Sequence, residues 1–361
     1  MTNNIVPFDV LAAFCNEPDT CPVAPLGFGN INDTYLVRPP SRPFVLQRIN
    51  NDVFPEPLKV IENFHAITDH LSCKDEEQRQ GLQVASPVRT LDKGMFHRDI
   101  RGAFWRAQSY LPHKSFRVLT GPAQAREVGR TLAKFHRLVS DLDVQGFHDP
   151  LPGFHNLPGY LEEYDRELLS IKTGTSGKFH SCLTTIERYR QRAATLEDAK
   201  RAGILSLQPV HGDPKVDNFL FGDQGEALGL LDLDTVAIGL VHYDLGDCLR
   251  SCCNRAGEAD RNNHPVTFDI DICRAVLGGY FSEPDQLLKK DQLSFIFDGV
   301  LLICFELGIR FFTDHLRGNR YFKVLQDDDN LLRAFNQFQL TDDIARQERE
   351  IRAMATTSGI G

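Results

Sequence analysis

With 361 residues, 42 % hydrophobic and 25 % charged side chains, the chain has the make-up of an ordinary globular protein, long enough for two lobes that each bury a core. A net charge of −9 and the lack of any basic block argue against a nucleic-acid partner, since nothing could neutralise a phosphate backbone. The nine cysteines form no C-x-x-C pair and read as reduced thiols; Cys248, Cys252 and Cys253, at helical spacing in an apolar stretch, read as buried small hydrophobes.

Residues 5–16 have the pattern of a short amphipathic helix. Two β-like runs follow, Thr34–Val37 and Phe44–Ile49, joined by a Pro/Ser/Arg turn at 38–43. Residues 57–71 repeat apolar positions at helical spacing behind Pro57. Gln83–Thr90 and Ala103–Leu111 read as strands, with a turn at Asp92–Gly94 and a short segment at Met95–Phe96 between them. Beyond Pro112 the chain becomes helical: 122–139 is strongly amphipathic, and helices are expected at 159–171, 178–202, 268–281, 289–312 and 328–351. A Pro/Gly/His-rich loop spans 146–159, a flexible KTGTSGK stretch spans 172–178, and a frayed tail reads TTSGIG.

The start, MTNNIVPFDVLAAF, lacks the basic opening and long apolar core of a signal peptide. The most apolar stretch, Phe295–Phe312, is interrupted by Asp298, Glu306 and Arg310, which suits a buried helix rather than a membrane span. A cytoplasmic protein with no membrane partner is expected, as a monomer or a dimer.

The segment 210–250 carries the chemistry. His211, Asp213 and Asn218 stand as H-x-D-x-x-x-x-N, and Asp232 follows Asn218 by fourteen residues at the end of an apolar strand, Leu228–Leu231. Moving a phosphoryl group to a hydroxyl needs a carboxylate beside the attacking oxygen, and an amide and a second carboxylate on Mg²⁺. Asp213 suits the first role, Asn218 and Asp232 the others. The competing account is a surface turn followed by a hairpin, since Asp, Pro, Asn and Gly also form turns. His211 is open between positioning the loop and acting as a base, and Lys215 between reaching the transferred phosphoryl group and being a solvated loop cation.

Taken together, HGDPKVDNFLF (211–221) and LLDLDTVAIGLVHYDLGD (230–247) resemble the signature of the aminoglycoside phosphotransferase/choline kinase superfamily, and VGRTLAKFH (128–136) is similar to its stretch ahead of the catalytic loop. GNINDTYLV (29–37), FVLQRINNDVFP (44–55), DLDT (232–235), GIRFFTDHLRGNRYF (308–322) and NLLR (330–333) look like its N-acetylhexosamine 1-kinase branch, so the resemblance runs from about residue 26 to 340. It implies an α+β, bilobed protein-kinase-like fold with a β-rich N-lobe (1–108) and a larger helical C-lobe (109–361), using ATP and Mg²⁺ to phosphorylate a small-molecule hydroxyl. In that reading Asp213 is the catalytic carboxylate, Asn218 and Asp232 hold magnesium, and Asp234 serves metal or sugar hydroxyls. Arg310 and Tyr321 match sugar-pocket positions; a Glu306–Arg310 helix pair and a core tyrosine are the plainer accounts. Asp244 reads as a cap opening the next helix.

The nucleotide half is less complete. Gly27 and Gly29 lie between β-like runs, where backbone N–H groups could cover phosphates, and main chain near Gln108 and Tyr110 could meet the adenine edge. Gln47 stands where a kinase strand carries its phosphate-binding lysine, with Arg48 on the other face, and Glu62 is a candidate remnant of that lysine's partner. Asn30 departs from the histidine usual in the branch. Trp105, the single tryptophan, reads as lobe core. Two further functions stay open: an amino-alcohol or aminoglycoside kinase, which would want an acidic or aromatic cage, and a nucleotide-binding pseudokinase.

Overall fold

The computed structural model describes residues 6–27, 31–170, 176–258, 260–261, 264–284 and 287–358. The N-terminal part opens with helix α1 (Phe8–Phe14) and strands β1 (Val23–Pro25), β2 (Asp33–Val37) and β3 (Phe44–Arg48). Helices α2 (Pro57–Ser72) and α3 (Glu76–Arg79) precede β4 (Gln83–Val84), β5 (Pro87–Val88), β6 (His97–Arg98) and β7 (Phe104–Ser109). An antiparallel sheet runs β1-β2-β3-β7-β5, with β6 also on β7. Strand alternation gives it one apolar face, where Leu46, Trp105 and Ala107 pack on Val10, Leu11 and Phe14 of α1. Trp105 is core, its indole N–H donating to Asp99 at 2.9 Å.

The strand expected over Gln83–Thr90 is two strands in different sheets. β5 pairs with β7, while β4 leaves to pair in parallel with a strand of the C-terminal part, residues 227–230. Pro87 has no N–H to give a continuous ladder, and the chain changes sheet just before it.

The C-terminal part contains α4 (Pro122–Val139), α5 (Leu157–Ser170), α6 (Gly177–Tyr189) and α7 (Thr195–Arg201), then β8 (Gln208–Val210), β9 (Phe219–Phe221), β10 (Ala227–Leu230) and β11 (Ala237–Gly239), and α8 (Val241–Cys252), α9 (Ile270–Tyr280), α10 (Ile296–Leu316), α11 (Asp329–Arg346) and α12 (Glu348–Ser358). Two long expected helices, 178–202 and 328–351, are each divided in two. At the centre is α10, apolar almost all round and buried from Ile296 to Asp314 apart from Leu307 and Arg310. Helix α8 lies against it where Gly246 and Gly299 meet; a Cβ on Gly299 would stand 2.4 Å from the His242 carbonyl oxygen. No helix among the described residues is long and apolar enough to cross a membrane. All nine cysteines are free.

These elements set the site. β8 pairs with β11 and β9 with β10, both antiparallel, so the loops leaving β8 and β10 emerge side by side. Asn63 of α2 joins the halves, donating to the carbonyls of His148 at 2.9 Å and Val236 at 3.0 Å.

Candidate active site

The segment 211–218 is tied down from behind. Asp244, in the first turn of α8, accepts the backbone N–H of His211 at 2.6 Å and of Gly212 at 2.8 Å. Its carboxylate also meets His136 Nε2 at 2.9 Å, and the Tyr280 hydroxyl holds the other nitrogen of that ring. Burial alone would raise the Asp244 carboxyl, but His136, His211 and the Gly212 N–H outweigh it and hold it below the usual range. Asp244 was expected to cap its own helix; no side chain caps α8, and Asp244 sits too far into the first turn to do so. It serves the neighbouring loop instead. Gly212 has φ +84, and a Cβ there would stand 2.6 Å from the Thr235 carbonyl oxygen, so the H-G-D order depends on glycine.

His211 is fully buried and neutral. Burial pushes its pKa down against Asp244 and Asp213. The Asp213 N–H points at Nδ1 (3.3 Å), so Nδ1 accepts and Nε2–H donates to the Leu231 carbonyl at 2.9 Å. The ring joins the loop to the residue preceding Asp232. Asn218 closes the same circuit: its side-chain amide nitrogen donates to the Asp213 main-chain carbonyl (2.8 Å) and carboxylate (3.1 Å), while its main-chain carbonyl accepts the Leu231 N–H at 2.8 Å. Lys215 donates to the Asp213 carboxylate at 2.5 Å. Burial opposes the charge on Lys215, but Asp213 and Asp232 more than restore it, raising its pKa. Asp213, Lys215, His211 and Asn218 therefore share one hydrogen-bond network anchored on Leu231, and Asp232, the next residue, acts on Lys215 through its charge.

Asp232 adopts a left-handed backbone, φ +60, at the start of the turn Leu233–Thr235. Its side chain reaches solvent, yet protein surrounds it; that enclosure, with Asp234 and Asp213 nearby, pushes the carboxyl up to about 7 against Lys215 and Arg106. Crowded carboxylates of this kind suit a cation. Among the described residues no group of three or more His, Cys, Asp or Glu could hold a metal. A smaller protein set fits Mg²⁺, which keeps waters and takes much of its shell from substrate phosphates.

Asp234 is buried and faces the sheet lobe. It accepts from Asn32 at 2.5 Å and forms an ion pair with Arg106 of β7. Arg106 stands directly across the ladder from Gln47, and its Nε and Nη2 donate to the Gln47 amide oxygen at 3.2 and 2.9 Å. Arg48 is on the other face, 2.7 Å from Asp33. Glu62 does not serve as a remnant partner: it pairs with His148 at 2.7 Å, and Phe64 is the α2 residue against the Arg106 guanidinium. At about 100° per residue, Glu62 and Phe64 fall on different sides of their helix. Gly27 has φ +74 two residues past the end of β1; Gly29 and Asn30 lie outside the described residues. Gln108 is on β7 and Tyr110 just beyond its end, both half-buried where the chain leaves the sheet.

Arg310 and Tyr321 line a cavity of about 530 Å³ with Asn50, Asp52, Tyr160 and Glu163. The Arg310 guanidinium lies 5.0–5.7 Å from the ring centres of Phe154, Tyr160, Tyr321 and Phe322. Asp314 fixes that wall by accepting the backbone N–H groups of Arg320, Tyr321 and Phe322 at 2.8–2.9 Å. Glu306 pairs with His155 at 3.0 Å rather than with Arg310, and the other His155 nitrogen meets the Gly212 carbonyl at 3.0 Å. Both ring nitrogens face acceptors, so the imidazolium fits; burial opposes its charge, but Glu306 raises its pKa. His155 thereby links α10, one turn before Arg310, to the loop bearing Asp213. Sequence reasoning missed Arg106, His155 and Asp314. A lone arginine inside the apolar strand AFWRAQSYL was the one available signal.

A sheet lobe, a helical lobe and this loop between them define a protein-kinase-like phosphotransferase fold. Residues 22–271 match the phosphotransferase enzyme family, APH, and the chain belongs to it, as its resemblance to the superfamily implied. An aminoglycoside phosphotransferase from Alicyclobacillus acidocaldarius subsp. acidocaldarius DSM 446 is similar in structure, with a TM-score of 0.65 at 15 % identity over 100 % of this chain and 98 % of that one. A microcompartment-associated aminopropanol kinase gives 0.63 at 13 % identity over 91 % and 94 %. A spectinomycin phosphotransferase solved with ADP and spectinomycin gives 0.54 at 13 % identity over 91 % and 93 %. At such identities the likeness carries the fold alone.

Proposed function

We propose that the protein transfers the γ-phosphoryl group of ATP to a sugar hydroxyl, the anomeric hydroxyl of an N-acetylhexosamine fitting best. The observation that carries this reading is the ring of four aromatic side chains around Arg310. A quaternary or primary amine would want such a cage for itself, but here the protein's own cation fills it. What the wall offers is a guanidinium fork with the Tyr160 and Tyr321 phenols, donors and acceptors suited to ring hydroxyls and an acetamido carbonyl.

In this reading Asp213 aligns the acceptor hydroxyl and takes its proton. Lys215, charged and on the Asp213 carboxylate, lies within reach of the phosphoryl group in transfer. His211 positions the loop. Asn218 and Asp232 would hold Mg²⁺, which when bound offsets phosphate charge. Gly27, Gly29, Gln47, Gln108 and Tyr110 are assigned to the nucleotide side.

One observation favours a second reading: Asp52 and Glu163 line the same cavity and would attract a cationic amino alcohol. Nucleotide consumption with N-acetylglucosamine, N-acetylgalactosamine, galactose, choline, homoserine and kanamycin separates the two. The expected acceptors are the N-acetylhexosamines; turnover with cationic amines alone would remove the sugar reading. Asp213→Ala is expected to abolish most turnover with the melting transition little changed.

A further inference from the structure

Resting on the nucleotide reading above, we infer that Arg106 is the phosphate-binding cation of the cleft, replacing the strand lysine whose place Gln47 holds. In an antiparallel ladder, residues directly opposite point to the same face. Thr34, Gln47 and Arg106 form such a row across β2, β3 and β7. A charge lost from one strand is therefore returned to the same face from the next.

The surroundings of Arg106 are those of an aimed group. Only 1 % of the residue is exposed, so its charge is almost wholly removed from water. Two nitrogens are held by the Gln47 amide and the Asp234 carboxylate, and Phe64 lies against the guanidinium, 4.6 Å from its centre. Gln47 is itself oriented by Thr34 at 3.3 Å. The third nitrogen, Nη1, is buried with no hydrogen-bond partner among the described residues. A buried charged donor left unmatched is costly, and it calls for an anionic acceptor that arrives with a ligand. A nucleoside diphosphate or triphosphate brings phosphate oxygens to this sheet face. Gln47 and Asp234 then act as positioning residues for the guanidinium.

The test compares binding of ADP and of adenosine, which lacks phosphate, to the full chain by calorimetry. Arg106→Gln is expected to weaken ADP roughly 10- to 100-fold, the worth of one charge-assisted hydrogen bond, while adenosine affinity stays within about twofold. Arg106→Lys, which keeps the charge but loses the fork, should fall between. Gln47→Lys combined with Arg106→Gln moves the cation back to the neighbouring strand and should recover ADP binding to within about fivefold of the parent. If Arg106→Gln does not melt as a folded protein, this exchange decides alone: a folded double variant without ADP affinity overturns the assignment. So does a folded Arg106→Gln that binds ADP as tightly as the parent, or that loses ADP and adenosine equally. A parent that binds adenosine no more weakly than ADP has no phosphate site here. A parent that binds neither overturns the nucleotide reading itself.

Discussion

The Asp244 carboxylate accepts the backbone N–H of His211 at 2.6 Å across 33 residues of sequence. The helix that follows the site thereby fixes the backbone on which Asp213 rides. Asp244→Asn would preserve size but leave one oxygen to serve the N–H groups of His211 and Gly212, with an amide facing His136. Breaking a buried, multiply bonded carboxylate of this kind is expected to cost about 3 kcal/mol. Turnover should fall with it, because the loop loses its register. A melt and a kcat measured together check this; an unshifted melting temperature would show that the loop is held by something else.

His242 gives a pH signature of folding. It is buried on α8, with Nε2 on the Gln292 carbonyl at 3.0 Å and Nδ1 unmatched among the described residues. Burial drives its pKa down to about 4 from 6.5. Between those values the unfolded chain binds a proton that the folded one refuses, so stability contributed above 6.5 is lost as pH falls toward 4. The loss from this group amounts to about 2 kcal/mol at pH 5. Urea unfolding of the parent and of His242→Gln at pH 7 and about pH 5 isolates it: the variant should lose less stability on acidification by about that amount. Equal losses would mean that His242 is protonated in the fold.

Helices α8 and α10 touch backbone to backbone. A Cβ on Gly246 would stand 2.6 Å from the Gly299 carbonyl oxygen, and neither atom belongs to a side chain that could swing aside. Gly246→Ala or Gly299→Ala should therefore force the helices apart, at about 1–3 kcal/mol. Asp244 rides on one helix and Arg310 on the other, so the acceptor KM should rise as well. A variant as stable as the parent would contradict this packing.

What the sequence disclosed follows from how far apart the partners lie. His211, Asp213, Asn218 and Asp232 sit in one short stretch, and β9 and β10 bring them together by local pairing. Helix 122–139 was legible because its apolar stripe is continuous. Arg106 gains meaning only from its register with Gln47, 59 residues away, and His155 only from Glu306, 151 residues away. No periodicity encodes such pairings. The β4–β5 division is missed when Gln83–Thr90 is read as one short run between turns, although its ends pair with different sheets; Pro87 inside it is the signal available.

Arg310 permits the most direct test of the proposed acceptor pocket. Its guanidinium is charged: burial opposes that state, but the phenols of Tyr160 and Tyr321 and the Glu306 carboxylate raise its pKa. It is held at the cavity wall by aromatic rings rather than by a carboxylate pair, so its donors remain oriented toward a ligand. Arg310→Ala should raise the acceptor KM by roughly 10- to 100-fold, the loss of a charge-assisted contact, and change the nucleotide KM by less than about twofold. It also vacates the aromatic cage, which should improve choline or ethanolamine as an acceptor relative to N-acetylglucosamine. Measuring both KM values with each acceptor separates these effects. A raised nucleotide KM with the acceptor KM unchanged would take Arg310 out of the acceptor site and leave it as a link in the packing of α10 against residues 154–160.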